Sequence, residues 1–144
     1  ADMNISLCKP DTYTDVTQAI MLFRKSKKWG LLRVSNSDAF GMSQYVLPTA
    51  GFSASQNPEN ALLPYVFRFT GALGFELKTV FDFEAVDGTV THGRIYIVSL
   101  PSEHANSNDI LNYFSCDKLP EKTENRKFVY DILCRADLLA NIYF

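Results

Sequence analysis

The sequence predicts an α+β fold: an antiparallel sheet of about five strands, meander-like and ending in a long hairpin over 75–100, packed on one face by an N-terminal helix and a long C-terminal helix. Three observations carry the prediction. Phe75, Leu77, Thr79, Phe81, Phe83 and Ala85 alternate with Glu76, Lys78, Asp82 and Glu84, the period of a half-buried strand, and Val90 to Leu100 is rich in β-branched and aromatic partners for it. Residues 124–143 place Phe128, Val129, Ile132, Leu133, Ala136, Leu139, Ala140 and Tyr143 on one helical stripe. The strands between are joined by turns too short for the crossovers that parallel neighbours require.

Along the chain, residues 4–8 (NISLC) read as a short edge strand, closed off by Pro10 and Asp11. Thr14 is a good N-cap, and Val16, Ala19, Ile20 and Phe23 follow at helical spacing, which predicts a helix over 14–28 ending at Gly30. Residues 30–35 and 42–47 read as two strands of a hairpin around Ser35-Asn36-Ser37-Asp38. The 48–60 stretch is small and polar, with Phe52 as its large apolar residue, and reads as a loop. Tyr65, Phe67 and Phe69 alternate with Arg68 in a fifth strand over 65–70. Beyond Pro101, Ile110, Leu111, Tyr113 and Phe114 suggest a short helix after the caps at 106–109, and Thr123 caps the long one.

Register within the long hairpin decides which side chains share a face. A two-residue Asp87-Gly88 loop would set Phe81 opposite Arg94 and mix core with solvent. A three-residue loop with Gly88 left-handed sets Leu77 opposite Ile97, Thr79 opposite Ile95 and Phe81 over Gly93. It also sets Asp82 opposite His92 on the outer face, beside Lys78, Arg94 and Tyr96.

The chain has 144 residues, one domain spanning 1–144, with 47% hydrophobic and 21% charged residues, which excludes disorder and fibrous repeats. Its net charge of −2 argues against nucleic acid as the partner of the whole surface. A local basic run, Arg24, Lys25, Lys27, Lys28 and Arg33, either complements a helix C-terminus or forms a patch for phosphate. Cys8, Cys116 and Cys134 show no metal-ligand spacing and suggest a reducing, cytoplasmic setting. No run of about 18 apolar residues spans a membrane, and no signal peptide is visible. His92 and His104 stand twelve apart, without metal spacing. No nucleophile elbow, phosphate loop or dinucleotide fingerprint occurs, and no cofactor is implied.

These observations favour a non-catalytic protein-binding module of the inhibitor, immunity or adaptor type. Its partner would be a protein met by Lys78, Val80, Asp82, His92, Arg94 and Tyr96 on the outer sheet face and by Phe52 in the 48–60 loop, a mixture typical of contact surfaces. The alternative is a small-ligand-binding or hydrolase/lyase domain with a pocket between curved sheet and helix, lined by Phe67, Phe69, Phe81 and Phe83. A third reading is nucleic-acid contact through 24–33. An exposed edge strand would allow a homodimer.

Overall fold

The computed structural model describes residues 4–35, 43–101 and 110–143. Among them are eight strands and two helices: β1 (Asn4–Cys8), β2 (Gln18–Lys25), β3 (Lys28–Ser35), β4 (Ser43–Val46), β5 (Thr49–Gly51), α1 (Pro58–Thr70), β6 (Glu76–Asp87), β7 (Thr89–Ser99), β8 (Leu111–Phe114) and α2 (Arg126–Tyr143). The α+β class holds, as do β1, β3, β4, the long hairpin and the C-terminal helix. The sheet is mixed rather than antiparallel, in the order β1-β6-β7-β2-β3-β4, with β5 on β2 and β8 on β3.

The parallel pair is β2 with β7, Gln18 to Phe23 running beside Gly93 to Val98. Turn lengths between consecutive strands say nothing about two strands some seventy residues apart, so the local argument for an antiparallel sheet did not reach this pair. A central strand with a neighbour on each side and a helix on each face is buried throughout, and Ala19 to Phe23 are all buried. That continuous apolar run is what looked like helical spacing, so the expected N-terminal helix over 14–28 is strand β2. It turns into β3 through Ser26 and Lys27, both left-handed, at φ 49 and 65.

The second correction is α1. The fifth strand expected at 65–70 is the end of this helix, and the loop expected over 48–60 contains β5 and the helix start. Asn57 accepts the Asn60 N–H at 3.0 Å, Pro58 occupies the first turn beside Glu59, and Gly71 closes the C-terminus at φ 78. Leu62, Val66, Phe69 and Thr70 are its buried stripe. The local alternation YVFRFT is overridden by these caps. The short helix expected near 110–114 is strand β8, paired with β3. His104 lies outside the described residues.

The two helices cover opposite faces rather than one. Val129, Ile132, Leu133, Ala136 and Ala140 of α2 pack on Ile20, Leu22, Ile95, Ile97 and Phe83. Leu62, Val66 and Phe69 of α1 pack on Met21, Phe23, Tyr96 and Val98. Within the long hairpin the chain reverses at Gly88 (φ 72) and pairs Asp87 with Thr89, which shifts the partners near the turn by two positions from the expected register. A bulge at Val80 then exchanges the faces. Leu77 packs with the α1-side core, while Val80, Phe81 and Phe83 pack on the α2 side. Among the described residues no helix is long and apolar enough to cross a membrane.

The ring that covers Gly93 is Phe83, not Phe81, and a Cβ on Gly93 would overlap it. Gly93→Ala should therefore cost about 1–3 kcal/mol of stability through overpacking in a central strand. Urea denaturation checks this, and Phe83→Leu in the same chain should recover part of the loss.

Candidate functional site

The polar residues of the β6–β7 hairpin converge where the β1–β2 connector, residues 9–17, crosses the sheet. Asp82 pairs with Arg94 and Glu84 with His92, so the expected Asp82–His92 pair does not form. Arg94 grips the Asp82 carboxylate with two hydrogen bonds, Nε to Oδ1 at 2.9 Å and Nη2 to Oδ2 at 3.2 Å. The same two side chains hold the connector: Asp82 Oδ2 accepts the Tyr13 N–H at 3.0 Å, and Arg94 Nη2 donates to the Tyr13 carbonyl at 2.8 Å. Asp82 is fully buried and Arg94 nearly so. Hydrogen bonding to Asp82 holds the guanidinium's pKa above its ordinary value.

One step along the hairpin, His92 Nδ1 lies 2.7 Å from Asp15 Oδ1 and Nε2 lies 3.0 Å from Glu84 Oε2. Tyr13 stacks on the imidazole, centroids 3.6 Å apart and planes within 5°. The hydrogen bond to Glu84, then that to Asp15, raises the His92 pKa from 6.5, while the hydrogen bond to His92 lowers that of Asp15 from 3.8. Both ring nitrogens and every partnered oxygen here are occupied by one another. The cluster clasps the connector, with Asp82 and Arg94 on the Tyr13 backbone and His92 on Asp15.

This clasp removes the expected contact surface. Asp82, Arg94, Tyr96 and Phe52 are buried, and Val80 is buried on the opposite side of the sheet. Phe52 packs edge-on against Tyr96, its N–H bonded to the Thr17 carbonyl. Lys78 and His92 are half-buried. Within the basic run, Lys27 and Lys28 are exposed at the β2–β3 turn. Arg24 lies over Trp29 and donates to Asn141 of α2, Lys25 lies over Tyr113 of β8, and Arg33 is exposed further along β3.

A concave site lies on the other side of the sheet, between it and the start of α2. A cavity of about 200 Å³ is walled by Ile5, Ile20, Leu47, Phe83, Phe128 and Val129. Gln18, Thr49, Thr91, Glu124 and Asn125 supply its polar groups. Phe83 and Phe128 face each other with centroids 6.2 Å apart. The position of Phe128 follows from the chain just before α2: Tyr45 donates to the Lys122 carbonyl and Glu124 donates to the Tyr45 carbonyl, which lays 122–124 along β4. Asn125, at φ 53, then turns the chain into α2. Of the four phenylalanines expected to line a pocket, Phe83 does so. Phe67 is exposed on α1, Phe69 belongs to the other core, and Phe81 packs on the α2-side core outside the cavity wall. Phe128 was legible only as a member of the helical stripe.

Metal-assisted hydrolysis of a phosphoanhydride needs carboxylates gathered around the cation. Among the described residues no three His, Cys, Asp or Glu side chains gather to hold a metal ion. The acidic residue of α1's first turn, Glu59, is exposed.

Solved structures place the fold. A pyrophosphohydrolase of Bacillus subtilis superposes with a TM-score of 0.65 at 18% identity, covering 96% of this chain and 92% of its own. A NUDIX hydrolase from Nitrosomonas europaea gives 0.60 at 14% identity over 88% and 90% of the two chains, and a MutT NUDIX hydrolase from Burkholderia pseudomallei 0.58 at 15% over 83% and 98%. The architecture is that of the Nudix hydrolases. No family model and no curated protein matches the sequence. The inhibitor, immunity or adaptor reading is overturned on two grounds: its docking face is roofed by the connector and Phe52, and the three solved structures named above, which share the fold, are hydrolases by name.

Two outcomes test the clasp. Asp82→Asn leaves Arg94 buried without its counter-charge and should cost about 3–5 kcal/mol, whereas Asp82→Leu with Arg94→Met should cost clearly less; chemical denaturation of both variants checks this. The second concerns pH. His92, raised above 6.5, contributes fully below that pH and loses its contribution as the pH rises through the raised value. Asp15, lowered below 3.8, contributes above 3.8 and loses its contribution as the pH falls through the lowered value. His92→Gln should therefore flatten the fall in urea midpoint that the wild type shows between about pH 6 and pH 9.

Proposed function

We propose that the chain is a small-ligand-binding domain on the Nudix-hydrolase fold, which holds a compact, mostly apolar molecule between the sheet and the start of α2. The observation that carries this reading is the cavity of about 200 Å³ walled by Phe83 and Phe128, with Gln18, Thr49, Thr91 and Glu124 as polar groups to orient an occupant. A cavity of about 150 Å³ takes a benzene, so the occupant is on the scale of one or two rings. Hydrolysis of the bound molecule is a second reading, favoured by the shared fold with hydrolases. Glu124 would be its general base, as the carboxylate of the pocket wall. Neither reading routes a step through a metal, because the described donor set does not fit one. A cytoplasmic setting belongs to the same proposal, supported by three unbridged thiols.

A fragment set of one- and two-ring aromatics, read by thermal shift and by methyl NMR, tests the reading. Hits should perturb Ile20, Ala85 and Val129, and Ala85→Leu, which fills the cavity, should weaken them at least about tenfold. Hits that map elsewhere, or none at all, would sink the proposal. Loss of turnover with retained binding in Glu124→Gln would select the hydrolytic form.

A further inference from the structure

Cys116 and Cys134 meet beside α2. Cys116 lies in the turn after β8 and Cys134 in the middle of α2, and the Cys134 Sγ donates to the Cys116 Sγ at 3.3 Å. Both thiols are partly exposed and unbridged. A disulfide needs a sulfur–sulfur distance of about 2.05 Å, so the pair has to close by little more than an ångström. Cys116 also donates to Asp137 Oδ2 at 3.1 Å, and Asp137 Oδ1 accepts the Trp29 indole N–H at 2.7 Å, which fixes the carboxylate. Cys8 is on the far side of the sheet's order, on β1, with its thiol toward the Asp82 carbonyl.

We propose that Cys116 and Cys134 are a redox pair, closed to an intramolecular disulfide by a peroxide. The Cys134 thiolate attacks one peroxide oxygen, the O–O bond breaks, and hydroxide leaves, giving a sulfenic acid. That hydroxide takes the Cys116 proton, and the Cys116 thiolate displaces a second hydroxide from the Cys134 sulfur as the S–S bond forms; this hydroxide takes up the proton that the Cys134 thiol had released to solvent. In sum, two thiols and one hydrogen peroxide yield one disulfide and two waters. The order of attack follows from the surroundings of Cys116, where burial first, then the Asp137 carboxylate that accepts its S–H, pushes the thiol up to about 12. Cys116 therefore rests protonated and acts second.

The ring so closed contains residues 117–133, which carry Glu124, Phe128 and Val129 of the cavity wall. Oxidation thus ties the pocket rim to the middle of α2. That consequence rests on the small-ligand reading; the crosslink itself does not.

The test treats the full chain with hydrogen peroxide, maps its peptides by mass spectrometry, and melts it before and after. The expected result is a Cys116–Cys134 crosslink with Cys8 free, and a melting midpoint raised by roughly 5–10 °C and restored by dithiothreitol. Cys116→Ser should leave a sulfenic acid at Cys134 that dimedone captures, while Cys134→Ser should leave Cys116 unlabelled. A crosslink through Cys8, a disulfide between two chains, or both thiols carried to sulfinic or sulfonic acid without a crosslink overturns the proposal. If the crosslink forms but fragment binding is absent in both redox states, the redox pair stands and the pocket reading fails.

Discussion

The parallel pairing of β2 with β7 is the constraint on which the rest depends. It puts two apolar strands side by side at the centre of the sheet, with Ala19 to Phe23 against Arg94 to Val98. Strands of that kind have no face to give to water, so each face must be covered. α1 covers one and α2 the other, and the molecule has three layers rather than two. The division into two cores follows, and so does the place of the cavity, which opens where α2 begins and the covering of its face is incomplete.

Within that frame the bulge at Val80 decides which chemistry goes where. It lets Val80 and Phe81 both join the α2-side core, and it exchanges the faces for everything nearer the start of β6. Nearer the turn, Asp82 and Glu84 share the α1-side face with His92 and Arg94. Burying that many charges is tolerable because each is answered: a two-point guanidinium–carboxylate contact, two backbone bonds to Tyr13, and an imidazole between two carboxylates. The result is a fastening for the connector between β1 and β2.

The other side of the sheet has the opposite character. There the walls are largely apolar, with two phenyl rings whose centroids lie 6.2 Å apart, and Gln18, Thr49, Thr91 and Glu124 add polar groups.

How much of this was legible in the sequence varies with how local the cause is. The hairpin of β6 and β7, the strands β1, β3 and β4, and the stripe of α2 are set by period and punctuation within a few residues, and they were readable. The caps of α1, Asn57-Pro58-Glu59 and Gly71, were also present, but the YVFRFT alternation competed with them and only packing of Leu62, Val66 and Phe69 settles the contest. β2 shows a run of apolar residues that suits a buried strand or a helix equally, and only its neighbour β7 decides. So the sequence by itself determined an α+β protein with a long amphipathic hairpin and a C-terminal helix. The tertiary structure alone decided the parallel centre, the burial of Asp82 and Arg94, and the pairing of Phe83 with Phe128, because each depends on residues far apart in the chain whose contact leaves no local pattern.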